Sequence, residues 1–250
     1  MKDAESTRPV VLTAPAKLTL SLRVVGVRAD GYHLIDAEMI TLTMHDTLAV
    51  THGGQGLEVI GGGSDVSAGP DNLVSRALDL ADVSAHVRLT KRIPSQAGLG
   101  GGSSDAGAVL RWANFDDLHA AANLGADVAF CMVGGRARVA GIGEIVESLP
   151  FEPRSLTLVT PPIKCPTPEV YRAWDELGQQ TRGLSRNDLE PAAIAVAPEL
   201  GAWRDKLWEE TGLRPSLAGS GSTWFVAGSH PGPNRIVVEA TPAGWEAPPD

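Results

Sequence analysis

The segment Ile93-Pro94-Ser95-Gln96-Ala97-Gly98-Leu99-Gly100-Gly101-Gly102-Ser103-Ser104-Asp105-Ala106 decides how the rest of this chain is read. Four glycines in the five positions 98–102 cost backbone entropy, so the backbone must either adopt angles closed to other residues or come very close to something. A phosphate is the obvious something. Residues 103–112 can continue as a helix, whose free N–H groups and positive dipole end point back into the loop. A flexible hinge between strand and helix is the plain alternative; the coincidence of two serines and a helix start with the glycines argues against it. No lysine follows in the spacing of a P-loop, no complete G-x-G-x-x-G starts at Gly98 or Gly100, and neither loop serine fits G-x-S-x-G.

Upstream, residues 86–90 alternate Val87 and Leu89 with Arg88 and Thr90, a strand that leads into the loop. Residues 71–80 read as a helix capped by Asp71, with Leu73, Val74, Ala77, Leu78 and Ala81 on one face. Before it lies a glycine-rich connection at Gly61-Gly62-Gly63. Residues 17–25 and 40–44 alternate as two half-buried strands around a turn at Arg28-Ala29-Asp30-Gly31, and are expected to pair antiparallel. Downstream, residues 156–160 form a strand ending at Pro161-Pro162. Helices over 168–177, 187–195 and 199–210 follow, then strands over 216–217, 223–227 and 235–239, and a loose tail from 241 to 250. Strand and helix runs in both halves predict an α+β protein of two lobes, residues 1–152 and 153–250, divided near Pro150-Phe151-Glu152-Pro153.

The chain has 250 residues, 43% hydrophobic and 20% charged, which suits a globular protein rather than a disordered chain or a small scaffold. Its net charge of −9 argues against nucleic acid as the main partner. Cys131 and Cys165 form no C-x-x-C pair, so neither a disulfide framework nor a zinc site is expected. The polar start Met1-Lys2-Asp3-Ala4-Glu5-Ser6-Thr7-Arg8 lacks a signal-peptide core, and no apolar run approaches the ~20 residues of a membrane span. A cytoplasmic location is expected, without a membrane partner, as a monomer or homodimer.

The glycine segment, from Pro94 through Ala97 to Ala106, resembles the central phosphate-binding motif of the GHMP kinases. Ala14-Pro15-Ala16-Lys17-Leu18-Thr19-Leu20 is similar to the family's amino-terminal motif, and Leu217-Ala218-Gly219-Ser220-Gly221-Ser222-Thr223 to its carboxy-terminal glycine turn. The set Asp30-Gly31-Tyr32-His33, Gly125-Ala126-Asp127-Val128 and Asn187-Asp188-Leu189-Glu190 resembles one branch. That branch phosphorylates, with ATP, the 2-hydroxyl of a cytidine-diphosphate derivative in the non-mevalonate route to isoprenoid precursors. The resemblance implies a ribosomal-protein-S5-like amino-terminal lobe and a ferredoxin-like carboxy-terminal lobe.

It also implies roles. Lys17 and Asp127 correspond to the catalytic pair, Asp127 taking the hydroxyl proton while Lys17 keeps its carboxylate ionised and draws an oxygen into place. Without that context, Asp127 reads as a helix cap and Lys17 as a solvated strand residue. Tyr32 and His33 correspond to residues that stack on and hydrogen-bond the cytosine, with Thr19, Thr167 and Pro168 completing the acceptor pocket. Asn72, Leu73 and Lys91 match positions near ATP, together with Pro94, Ala97, Gly98, Leu99, Gly100, Gly101, Gly102, Ser103 and Ser104. Lys91 reads otherwise as a surface charge. Gly219, Ser220 and Gly221 either touch phosphate or only allow close backbone packing. Magnesium is expected with ATP, but no carboxylate pair declares itself as its ligand.

The sequence departs from the pattern in two places. Thr19 stands where the family usually has asparagine, and residues 113–124 are fewer than expected ahead of Asp127. Gly107 inside the expected helix is a smaller oddity, weakening it by about 1 kcal/mol relative to alanine. Two other functions compete: a kinase for homoserine or a mevalonate-type alcohol, against which Tyr32 and His33 speak, and a GHMP-fold protein that only binds a nucleotide or a partner.

Overall fold

The computed structural model describes residues 8–62, 66–178 and 185–248. Gly63 of the expected glycine connection, positions 1–7 of the polar start and the last two tail residues lie outside them. In chain order the elements are β1 (Val10–Val27), β2 (His33–His52), β3 (Gly56–Gly61), α1 (Leu73–Leu80), β4 (Ala85–Lys91), α2 (Gly101–Trp112), α3 (Leu118–Leu124), α4 (Val128–Val133), β5 (Arg136–Gly141) and β6 (Ile145–Leu149). Then come β7 (Ser155–Val159), α5 (Thr167–Leu177), α6 (Glu190–Val196), α7 (Glu199–Thr211), β8 (Ser216–Leu217), β9 (Trp224–Ala227) and β10 (Ile236–Thr241). No helix among the described residues is long and apolar enough to cross a membrane.

Strand β2 is the spine. Along one edge it pairs with the whole of β1, antiparallel as expected; along the other it meets β5 over residues 35–40, β10 at Thr41 and Leu42, and β4 over residues 47–52. β10 continues antiparallel to β7, which carries β9 and then β8, so the strands of both halves form one mixed sheet. An apolar cluster follows the same path, joining Leu22, Val24, Phe130 and Val139 to Trp174, Leu189, Leu200 and Trp224.

β1 is longer than its alternating segment because three irregularities interrupt its register, at Pro15/Lys17, Thr19/Ser21 and Val24/Gly26. Pro15 cannot donate to the ladder, and a bulge re-aims the residues beyond it. Leu18 and Leu20 therefore pack in one apolar cluster and Leu22 and Val24 in another. The middle of β1 is buried on both faces, which puts Lys17 and Thr19 inside the protein.

Several boundaries differ from the sequence reading. α1 is capped by Asn72, whose Oδ1 accepts from the Val74 amide at 2.9 Å, while Asp71 instead receives the Ser67 hydroxyl. α2 begins at Gly101 rather than Ser103, and α6 at Glu190 rather than Asn187. β3, α3, β5 and β6 have no counterpart in the sequence reading. Gly107 is explained by packing: a Cβ there would lie 2.8 Å from the Cys131 carbonyl carbon, so the glycine lets α2 lie directly on α4. The tail is not loose over its described part. Thr241 belongs to β10 and its hydroxyl donates to that of Thr41, the Trp245 ring lies edge-on to His45, and the Ala247 amide donates to the Thr13 hydroxyl.

Candidate active site

Two clefts meet at one set of side chains. The first, of about 630 Å3, is walled by residues 93–98, Gly100 to Ser103, Leu73, Lys91 and Gly221; the second, of about 710 Å3, by Thr19, Tyr32, His33, Pro168, Tyr171 and Asp175 among others. Lys17, Asp127, Thr167 and Ser220 line both. The Lys17 ammonium lies 3.1 Å from Asp127 Oδ2 and donates to the Thr19 hydroxyl at 3.3 Å. Asp127 occupies the N-cap position of α4, yet its side chain makes no capping bond. The carboxylate faces the border between the clefts instead, so the few residues of 113–124 leave it in reach of Lys17. Thr19 serves as the lysine's partner.

The first cleft is built for close approach. Gly100 caps α2 in the left-handed region, with φ 65° and no side chain to fill the N-terminal space. The N–H groups of the first helical turn have no partner within a helix, and here they sit on the cleft wall. A Cβ on Gly100 would lie 2.6 Å from Lys17 Cγ, and one on Gly101 3.1 Å from Lys91 Nζ. Gly98 serves the fold: with φ +76°, a Cβ would come 2.3 Å from the Ala218 carbonyl oxygen and 2.9 Å from that of Gly221. The carboxy-terminal turn thus packs backbone against backbone on the loop. Leu99 and Ser104 are buried and line neither cleft, and Asn72 spends its side chain on the α1 cap and the Ser67 carbonyl. Of the turn, Gly221 borders the loop cleft and Gly219 the other.

Lys91 is not a surface charge. Its side chain is 4% exposed, and its ammonium donates to Asp46 Oδ2 at 2.5 Å and Asp105 Oδ2 at 2.7 Å. Burial works to lower its pKa, but Asp105 and Asp46 outweigh burial and raise it. Burial also pushes the Asp105 carboxyl up to about 7, against the pull of Lys91, and its Oδ1 has no hydrogen-bond partner among the described residues. Asp46 accepts the amides of Arg92 and Ile93 as well. The triad ties the end of β4 and the start of the loop to the first turns of α2. Nothing local betrays Asp46, whose partner stands 45 positions away.

In the second cleft the His33 ring lies on Tyr171, centroids 4.6 Å apart, with the Trp174 edge at 5.6 Å, and His33 Nε2 is 2.8 Å from Asp175 Oδ1. Tyr171, Trp174 and Asp175 stand at i, i+3 and i+4 on α5, a helical face that sequence spacing could have revealed. Burial raises the Tyr171 phenol well above its usual range, so it stays neutral. Tyr32 is 59% exposed, with the Arg28 guanidinium over its ring at 5.4 Å. Thr167 and Ser220 join hydroxyls at 2.9 Å, linking the start of α5 to the glycine turn. No group of three or more His, Cys, Asp or Glu side chains among the described residues is placed to hold a metal.

This arrangement can hold a polyphosphate on one side, a planar base on the other, and a carboxylate with its lysine between them. Residues 72–135 match the model of the GHMP kinases N terminal domain. The chain is 37% identical over 278 residues to the 4-diphosphocytidyl-2-C-methyl-D-erythritol kinase of Granulibacter bethesdensis, covering 94% of this chain and 92% of that one. It is 35% identical over 252 residues to the enzyme of the same name from Desulfitobacterium hafniense, with 86% of each covered. Among solved structures, a 4-(cytidine 5'-diphospho)-2C-methyl-D-erythritol kinase superposes with a TM-score of 0.74 at 32% identity, covering 92% of this chain and 99% of the other.

Proposed function

The chain belongs to the family of 4-diphosphocytidyl-2-C-methyl-D-erythritol kinases within the GHMP kinases, and on that premise we propose that it moves the γ-phosphoryl group of ATP to the 2-hydroxyl of the diphosphocytidyl alcohol. The observation that carries this reading is the border between the clefts, where Lys17 and Asp127 face both the glycine loop and the pocket of Tyr32 and His33.

In this reading the amides of Gly100 to Ser103 and the dipole of α2 bind the phosphates, with the glycines keeping Cβ atoms out of their way. Asp127 accepts the proton of the attacking hydroxyl. Lys17 orients that carboxylate, keeps it ionised, and lends positive charge where the transferring oxygens gather it. Phosphoryl transfer asks mainly for positioning and charge stabilisation, which these groups supply. Tyr32 stacks on the cytosine and His33 hydrogen-bonds it, with Asp175 and Tyr171 holding the imidazole. Thr167, Ser220 and Thr19 flank the alcohol. Magnesium bound with the nucleotide would neutralise phosphate charge, and no protein ligand is assigned to it. We also propose the division into an S5-like lobe, residues 1–152, and a ferredoxin-like lobe, residues 153–250.

The test is ADP release by purified protein with ATP, Mg2+ and 4-diphosphocytidyl-2-C-methyl-D-erythritol, beside homoserine and mevalonate. Turnover with the first alone is expected. Folded, ATP-binding protein that turns over none of the three would make it a binding protein, and preference for either small alcohol would reassign the acceptor.

A further inference from the structure

The segment Asn187-Asp188-Leu189-Glu190 carries part of the family likeness but has no part in the chemistry above. Asn187 is buried, and its carboxamide is fully used. Nδ2 donates to the Leu217 carbonyl at 2.9 Å and the Gly219 carbonyl at 2.6 Å, while Oδ1 accepts from the Leu189 amide at 2.9 Å. Two carbonyls and one N–H leave a single way to orient the amide. The same residue is stitched to β1: the Leu22 amide donates to the Arg186 carbonyl and the Asp188 amide to the Leu22 carbonyl, forming a parallel bridge between Leu22 and Asn187.

These contacts close a ring around the site. β1 carries Lys17, whose amide donates to the Leu99 carbonyl of the glycine loop at 3.0 Å. The loop holds the carboxy-terminal turn through the Thr223 amide on the Ala97 carbonyl and through Gly98 against Ala218 and Gly221. The turn in its course passes close to the lysine, a Cβ on Gly219 lying 3.4 Å from Lys17 Nζ. Asn187 is the link that returns from the turn to β1.

We propose that Asn187 is a positioning residue for phosphoryl transfer, its carboxamide fixing the Gly219-Ser220-Gly221 turn against Lys17 and the glycine loop. The inference rests on the kinase reading above. Without the amide two buried carbonyls lose their donor, and the turn must shift to regain one. Ser220 and Gly219 move with it at the border of the clefts, while the amides of α2 that face the nucleotide are left in place.

N187D keeps the side-chain oxygen that receives the Leu189 amide but has no hydrogen for either carbonyl as a carboxylate and one for the two when protonated; N187A loses all three bonds. For both, kcat should fall on the order of 10²-fold, the effect of roughly an ångström of misplacement, with KM for ATP changed by less than about threefold. D188N is the comparison, since Asp188 holds Arg23 and the Val24 amide, on β1 rather than on the turn. It should lower the thermal midpoint with kcat kept within about threefold. If folded N187D keeps the parent's kcat, or D188N loses kcat as heavily as N187D, the segment is a general staple and the proposal falls. Should N187A not fold, N187D below its own midpoint decides. Parent protein that fails to turn over the diphosphocytidyl alcohol overturns the kinase reading and Asn187's role with it, whereas an active parent with an unaffected N187D overturns only the latter.

Discussion

Replacing Gly102 with alanine separates what the glycine loop does for the fold from what it does for the nucleotide. Gly102 is the second residue of α2, exposed on the wall of the loop cleft. A Cβ there meets only Leu73 Cδ1, at 3.5 Å, an ordinary contact, and the residue is helical. Alanine in place of helical glycine is worth roughly 0.5–1 kcal/mol, and about 2–4 °C per kcal/mol applies to a chain of this size. The thermal midpoint of G102A should therefore stay level or rise by up to about 4 °C. The added methyl stands where the reading puts phosphate oxygens, however, and crowding of that kind costs about 1–3 kcal/mol. ATP should bind roughly 5- to 150-fold more weakly. Calorimetric titration with ATP beside a thermal melt reads both quantities. Unchanged ATP affinity would refute the claim that this glycine exists for phosphate approach, and a midpoint several degrees lower would refute the steric argument.

G98A should do the reverse of G102A, losing several degrees of midpoint, because its Cβ meets the fixed carbonyls of Ala218 and Gly221 at a left-handed φ. D127N removes the general base while keeping its shape, so kcat should drop about 10²–10⁴-fold with ATP binding nearly intact; surviving turnover would move the proton acceptor elsewhere. G107A should destabilise the protein by about 1–3 kcal/mol despite alanine's better helix propensity, as read by urea unfolding, because Cys131 occupies the space. For Asp105, the folded carboxyl titrates near 7 against 3.8 when free, so it contributes stability that is complete below the lower value and is lost as pH rises through the upper one. The unfolding free energy of the parent minus that of D105N should thus shrink between about pH 4 and pH 7, and a difference that grows over that window would mean the proton is not held there.

The glycine loop was legible because its cost is local: four glycines in five positions have no cheap explanation. The strands β1 and β2 were legible through alternation, and the pairing of Lys17 with Asp127 through motif order alone, since nothing in either neighbourhood says that they meet. Alternation was also present in β5, where Ala137 and Val139 point inward while Arg136 and Arg138 pair with Glu38 and Asp36 on β2. Small apolar residues between long charged ones make a weak signal. Lys91, Asp46 and Asp105 were hidden for another reason. A charge in a strand reads as surface unless its partner is known, and these partners arrive from separate elements. Motif order alone does not say that Leu99 turns to the core side of the loop and Ser104 to the core side of α2, away from both clefts.

β10 holds the two halves of the sheet together, pairing with β2 through Ala240 and Thr241 and with β7 through residues 236–239. Among the described strands it follows β2 and β7 in chain order, so on a ribosome the joint emerges after the two strands that it links. Until it does, the edge of β7 that faces β10 stands open, a template for pairing with a neighbouring nascent chain. Synthesis therefore delivers the glycine loop, Lys17 and Asp127 early, yet the sheet that braces them closes only when the strand ending at Thr241 slides into its slot.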